Sequence, residues 1–362
     1  MIEKRKLSKE QVLIIITGAV IAAGTALLTH LGNPKNMGFC IACFVRDIAG
    51  GLKLHNAAVV QYIRPEIIGL ILGSFLIAVV TKEFKPRGGS SPVLRFIIAA
   101  FVMIGALAFL GCPFRMIIRL SAGDLNALVG LLGFTAGVAV GAFFLTKGFS
   151  LGRYQKQSSV EGVALPFANI VLFVLFLAIP ALFAFSEKGP GSMHAPIIIS
   201  LLAGLIVGAL AQKTRLCMVG GIRDTILVKD TTLLFGFVSI FIIMLIMNIA
   251  TGNFNLGFAN QPVAHSDHLF NFLGMALCGL GSVMLGGCPL RQLILAGEGN
   301  SDSAISVLGL LVGAAISHNF SLAGVANEGV KTNGRVAVIF GLIFLVSIAL
   351  IKIYQVKKEE AR

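Results

Sequence analysis

Charged side chains are scarce in this chain: they make up 12% of its 362 residues, and only 16 are acidic. A soluble domain of this size carries roughly twice that charged fraction, so a water-soluble fold is excluded. Also missing are a phosphate loop, a nucleotide motif and any nucleophile–base constellation. ATP-driven transport by this chain alone, and an enzyme generally, are therefore not expected. His30, His55, His194, His265, His268 and His318 show neither metal-ligand spacing nor repeat symmetry. No resident metal or cofactor is expected, although four converging thiols would suit a soft metal ion. The 29 basic residues give a net charge of +13 but form no single patch, which argues against nucleic acid. Most lie in short loops, the pattern that orients membrane proteins.

What the chain does have is apolar sequence: 56% hydrophobic residues and a mean hydropathy of +0.92. Ten runs are long enough to read as helical spans across a bilayer, roughly 11–31, 65–81, 92–111, 125–146, 165–186, 194–212, 232–250, 268–287, 303–320 and 335–354. The first run follows a basic start but is too long for a signal segment, so it counts as a span. Ten spans put both termini on one side. A cytoplasmic N-terminus gathers Lys4, Arg5, Lys6, Lys9, Lys82, Lys85, Lys147, Lys213, Lys357 and Arg362 inside, whereas the loop Thr251–Asp267 carries no lysine or arginine. Both termini are expected in the cytoplasm. Four further segments, Met37–Lys53, Pro113–Leu120, Leu216–Asp230 and Pro289–Ala296, are too short or too polar to cross and read as re-entrant half-helices.

Two motifs recur together. Cys40 opens Cys40-Ile41-Ala42-Cys43-Phe44-Val45-Arg46-Asp47, and Cys217 opens a matching Cys-x5-Arg-Asp ending at Arg223-Asp224, 177 residues later. Gly111-Cys112-Pro113-Phe114-Arg115 recurs as Gly287-Cys288-Pro289-Leu290-Arg291 after 176 residues, and Gly123, Gly133 and Gly137 recur at that offset as Gly299, Gly309 and Gly313. An internal duplication follows. The expected units are 1–150, the first repeat; 151–193, a linking loop and extra helix; 194–325, the second repeat; and 326–362, the last helix and a cytoplasmic tail. An odd number of spans separates equivalent helices, so the repeats should be inverted, with the substrate site at their interface. The fold class is an all-α integral membrane protein: about ten transmembrane helices plus re-entrant half-helices in an inverted repeat.

Glycine can leave a helix and proline favours the first position of the next. Cys112 and Cys288 thus fall at the N-termini of short helices directed into the membrane, where free N–H groups attract anions and favour thiolate. They are expected near the pseudo-two-fold axis, with Cys40 and Cys217 flanking them along one path. Arg115 and Arg291 sit in the first turns, where a cation opposes the helix dipole. Either a bound anion or a carboxylate such as Asp124 or Glu298 must compensate them. Arg46, Asp47, Arg223 and Asp224 read as supporting residues; adjacent Arg and Asp face different sides of a helix, so each is expected to pair with a neighbouring element. Cys43 completes a Cys-x-x-Cys with Cys40 that has no counterpart at Gly220, and Cys278 reads as core.

At these residues the chain resembles the YeeE/YedE family of bacterial inner-membrane proteins, through Arg215-Leu216-Cys217-Met218-Val219-Gly220-Gly221-Ile222-Arg223-Asp224 and Gly286-Gly287-Cys288. The resemblance implies transport of a sulfur- or selenium-containing anion across a bacterial inner membrane, with the cysteines lining the path. The Pro-x-Arg continuation, Asn33-Pro34-Lys35-Asn36-Met37-Gly38-Phe39-Cys40 and Gly123-Asp124-Leu125-Asn126-Ala127 resemble the selenium-associated YedE branch. It implies selenium uptake; thiosulfate transport is the alternative. A further alternative is a sulfur or selenium relay with a covalent cysteine intermediate and a cytosolic carrier protein as acceptor.

Overall fold

The computed structural model describes residues 7–360; Lys4, Arg5, Lys6 and Arg362 of the charge pattern lie outside them. Two sets of six helices bracket a lone helix, and another closes the chain. The first set is α1 (Lys9–His30), α2 (Ile41–Gly51), α3 (Pro65–Val80), α4 (Pro92–Ala108), α5 (Pro113–Ser121) and α6 (Leu125–Thr146). The lone helix is α7 (Ser159–Ala178). The second set is α8 (Ile197–Thr214), α9 (Met218–Val228), α10 (Thr232–Ala250), α11 (His268–Leu285), α12 (Pro289–Gly297) and α13 (Ser301–Asn319), followed by α14 (Thr332–Glu360). Strand structure among the described residues amounts to two tiny hairpins, Arg87–Gly88 with Gln155–Lys156 and Gly324–Val325 with Gly329–Val330.

Among the described residues, nine helical stretches are long and apolar enough to cross a membrane, and α3 is a shorter apolar helix. The chain is an all-α, multi-pass membrane protein. Leucine, isoleucine, valine and phenylalanine stay exposed on α7, α10 and α14, as lipid-facing surfaces require. The expected span 165–186 is displaced. Its helix starts at Ser159, because Ser158 caps it by accepting from the Glu161 N–H, and it ends at Ala178 ahead of Ile179-Pro180. A residue before proline is driven out of the helical region, and Ile179 sits at φ −135°.

The packing is reciprocal between the two sets. Helix α3 lies against α8 as α10 lies against α1, and α6 lies against α11 as α13 lies against α4. Small residues make these crossings close. Gly133 meets the Phe272 carbonyl and Gly309 the Phe96 carbonyl; Gly137 meets Ala276 and Gly313 meets Ala100. Phe272 and Ala276 lie 176 residues after Phe96 and Ala100, the offset of the glycines themselves. A side chain at any of these glycines would strike backbone, which cannot yield as a flexible side chain can. Gly133→Leu is expected to abolish the monodisperse folded peak in detergent size-exclusion chromatography. Gly24→Leu on α1, which meets nothing within 4 Å, should leave it intact.

Two groups of loops gather at opposite ends. At one end the Gln61 N–H donates to Ser186, Ala195 N–H to Asn33, Asn255 N–H to the Ala122 carbonyl, Asn327 N–H to the Ala264 carbonyl and the Asn319 amide to the Leu54 carbonyl. At the other, Lys85 meets Glu298, Ser91 meets Leu151, and Lys213 pairs with Glu83.

Candidate functional site

Each of the four paired cysteines is the N-cap of a half-helix: Cys40 of α2, Cys112 of α5, Cys217 of α9 and Cys288 of α12. Two of them cap with sulfur. The Cys40 thiol accepts from the Cys43 N–H at 3.3 Å and the Cys217 thiol from the Gly220 N–H at 3.4 Å. Proline at N1 of α5 and α12 fixes the first turn of the other pair. The backbone N–H groups of Ala42 and Arg115 are directed at the Cys112 sulfur, and those of Met218 and Arg291 at the Cys288 sulfur. The half-helix ends therefore meet in pairs, one pair per repeat, with a thiol at each tip.

The thiols fall into two clusters. Cys217 and Cys288 lie 4.0 Å apart, sulfur to sulfur. Cys40 lies beside Cys112 and Cys43. All are buried and none is oxidised to a disulfide. Among the described residues, no group of three or more His, Cys, Asp or Glu is placed to hold a metal ion. Cys278 is fully buried on α11.

Arg115 sets the first cluster apart. Its guanidinium is fully buried and, among the described residues, has no carboxylate partner. Asp124, expected as a compensator, pairs instead with Arg119 at 2.6 Å. Arg119 lies four residues after Arg115, one turn along the same face, and so reaches the Asp124 cap of α6 first. Arg115 is held by main-chain oxygens: Nε donates to Asn36 at 2.8 Å, Nη2 to Val263 at 3.2 Å, and Nη1 to Leu110. Nη1 also approaches the Cys43 sulfur at 3.8 Å. Asn36, Leu110 and Val263 have φ of 57°, 62° and 51°, a left-handed backbone that side chains disfavour, most of all β-branched valine. Strained residues thus turn three carbonyls onto one cation, a concentration of strain characteristic of functional sites. The position equivalent to Leu110 is Gly286, where φ of 83° carries no such strain.

In the second cluster the cation is neutralised. Arg291 meets Glu298 at 3.0 Å, the carboxylate named from sequence. The Arg-Asp motifs correct another expectation, because each pairs internally. Arg46 places Nε and Nη2 at 3.0 and 2.8 Å from Asp47, and Arg223 places Nε 2.8 Å from Asp224. The long arginine stem folds back onto its neighbour, which helix-face geometry alone does not anticipate. Asp47 additionally receives Arg64 at 2.7 Å, and Arg64 lies over the Phe44 ring at 4.5 Å. Sequence reading missed Arg64 and Arg119. The one signal for Arg119 was its spacing from Arg115.

The second repeat carries a signature of its own in comparison with known proteins. Residues 213–358 match the sulphur-transport family. The thiosulfate transporter TsuA of Escherichia coli strain K12 is 28% identical over 127 residues, 34% of this chain and 35% of that protein. The chain thus spans about a third of the length of the relative it matches. Both likenesses support the YeeE/YedE family, and the sulphur-transport segment contains the Cys217–Cys288 pair and the neutralised Arg291.

The loop that supplies the Val263 carbonyl is pinned by His265, whose Nε2 lies 2.8 Å from the Ala108 carbonyl while Nδ1 accepts from the Asp267 N–H. Burial pulls this imidazole below its ordinary value of 6.5. The folded state therefore binds fewer protons than the unfolded chain once pH falls through that ordinary value, and stability declines on acidification. Buried His55 and His194 act with the same sign. The thermal midpoint should be flat above about pH 7 and fall by about pH 5, and His265→Gln should reduce that fall.

Proposed function

We propose that this chain moves a small, soft sulfur- or selenium-containing anion across a bacterial inner membrane through a path lined by Cys40, Cys112, Cys217 and Cys288. The observation that carries the reading is the pairing of half-helix N-termini with a thiol at each tip, beside a buried guanidinium that has no carboxylate. Helix N-termini and Arg115 favour negative charge. Thiols are weak donors matched to a polarizable terminal sulfur or selenium, whereas a hard oxyanion would favour more N–H donors. Weak sequential contacts let the ion leave as well as enter. The two repeats are inverted in this proposal, which places the clusters in series: the Cys40–Cys43–Cys112 cluster towards the outside and the Cys217–Cys288 cluster towards the cytoplasm, where both termini lie.

The likeness to a thiosulfate transporter supports thiosulfate as a carried ion, and the branch-like features of the first repeat support a selenium analogue. Sulfur and selenium differ modestly in size and softness, so four thiols discriminate weakly between them. Cells lacking other uptake routes and expressing this chain should accumulate radiolabelled thiosulfate and a labelled selenium analogue, each competing with the other. Entry of thiosulfate with no uptake of, or competition by, any selenium species rejects the selenium branch and keeps the transporter. Uptake of neither rejects the transporter.

A further inference from the structure

A cavity of about 340 Å³ opens where the loops 52–64, 251–267 and 320–331 come together. Arg46, Leu110, Val263, His318, Ala326 and Lys331 are among the residues that line it, and no acidic residue does. Two of these, Leu110 and Val263, are the strained residues whose carbonyls hold Arg115. The Leu110 carbonyl also receives the Cys43 thiol at 3.9 Å. The cavity floor is therefore the other side of the wall around the first thiol cluster.

Its charge is positive and unspent. Arg46 and Arg64 share the single carboxylate of Asp47, which leaves one positive charge on the trio. Arg46 directs Nε and Nη2 to Asp47, and its Nη1 takes no partner among the described residues. Lys331 is exposed and forms no ion pair among them. Counting every buried charge around the first cluster, Arg46, Arg64, Arg115 and Arg119 face Asp47, Asp124 and Glu66, four positive against three negative. Glu66 is hydrogen-bonded by Asn33 and Ser200. The second repeat offers no such excess, because Arg291 faces Glu298 and Arg223 faces Asp224.

We propose that this cavity is the outer vestibule of the path, a low-specificity binding site where Arg46 and Lys331 collect small inorganic anions before they reach Cys43 and Arg115. The assignment rests on the transport reading above and adds to it a capture site that contains no thiol. It also accounts for the charge asymmetry between the repeats. An apolar-walled cleft bearing one sign of charge concentrates the opposite ion at its mouth, and the neutralised inner cluster does not hold the ion on its way out.

The test places a reporter thiol in the vestibule by Ala326→Cys, with the six native cysteines buried and the parent protein as background. On purified protein, an anionic methanethiosulfonate reagent should modify this thiol at least about fivefold faster than a cationic one, after correction for their rates with a free thiol. One unit charge at this range accounts for a factor of that order. Adding Lys331→Gln should bring the ratio towards one. In cells, Lys331→Gln alone should raise the KM for thiosulfate about fivefold with kcat unchanged, and modified Ala326→Cys should lose uptake. A ratio near one, or normal uptake after full modification, overturns the vestibule while leaving the thiol path standing. The rate ratio is read on protein that need not transport, so failure of the parent to take up thiosulfate rejects the transport reading separately.

Discussion

Cys112→Ala and Cys288→Ala are each expected to abolish uptake, by at least tenfold, while leaving folded protein in the membrane. Each thiol stands at the tip of a half-helix with two backbone N–H groups directed at it, so its loss leaves a polar pocket without its soft donor. The fold should tolerate the change. Proline at N1 and the main-chain helix bonds of α5 and α12 remain, and neither thiol makes a capping bond. Loss of one small buried side chain costs on the order of 1 kcal/mol. Membrane-fraction abundance and detergent size-exclusion profiles should match the parent. The Ser variants should recover part of the activity if a donor is needed, and none if polarizability is.

The second large effect falls on stability. Asp47→Ala removes the one carboxylate between two buried guanidinium groups. Removing one partner of a buried pair costs about 3–5 kcal/mol, because the charge left behind is uncompensated. Here two are left, and Arg64 ties α3 to the loop before α8 through the Pro190 and Met193 carbonyls. Folded protein should largely disappear from the membrane. Asp224→Ala, the same change in the second repeat, acts on a pair that is a quarter exposed, and should cost no more than about 1 kcal/mol. Thermal midpoints of the two variants, measured in the same detergent, compare the repeats directly.

That contrast shows where the sequence was readable and where it was not. The apolar runs and the half-helices were legible because bilayer thickness and Gly-Cys-Pro chemistry act locally, and α2, α5, α9 and α12 stand where those signals put them. The glycine offsets were legible as a repeat, and Gly133 and Gly309 turn out to make equivalent crossings. Partner choice among the arginines was not legible. Arg115 and Arg119 share one face of a nine-residue helix, and only the folded chain shows which one reaches Asp124. The carbonyls of Asn36, Leu110 and Val263 come from three distant segments, and no local pattern announces that they share one guanidinium. The end of α7 was marked by Ile179-Pro180; its start at Ser159 lay in a polar stretch with weak periodicity.

The central claim is tested most directly by reconstituting the purified chain into liposomes and following labelled thiosulfate across the membrane. The account predicts accumulation by the parent above empty liposomes, suppression by an excess of a selenium analogue, and background levels for Cys112→Ala and Cys288→Ala protein reconstituted at equal density. Uptake by the Cys112→Ala, Cys288→Ala double variant at the parent's rate would contradict it, since the thiols would then be packing residues.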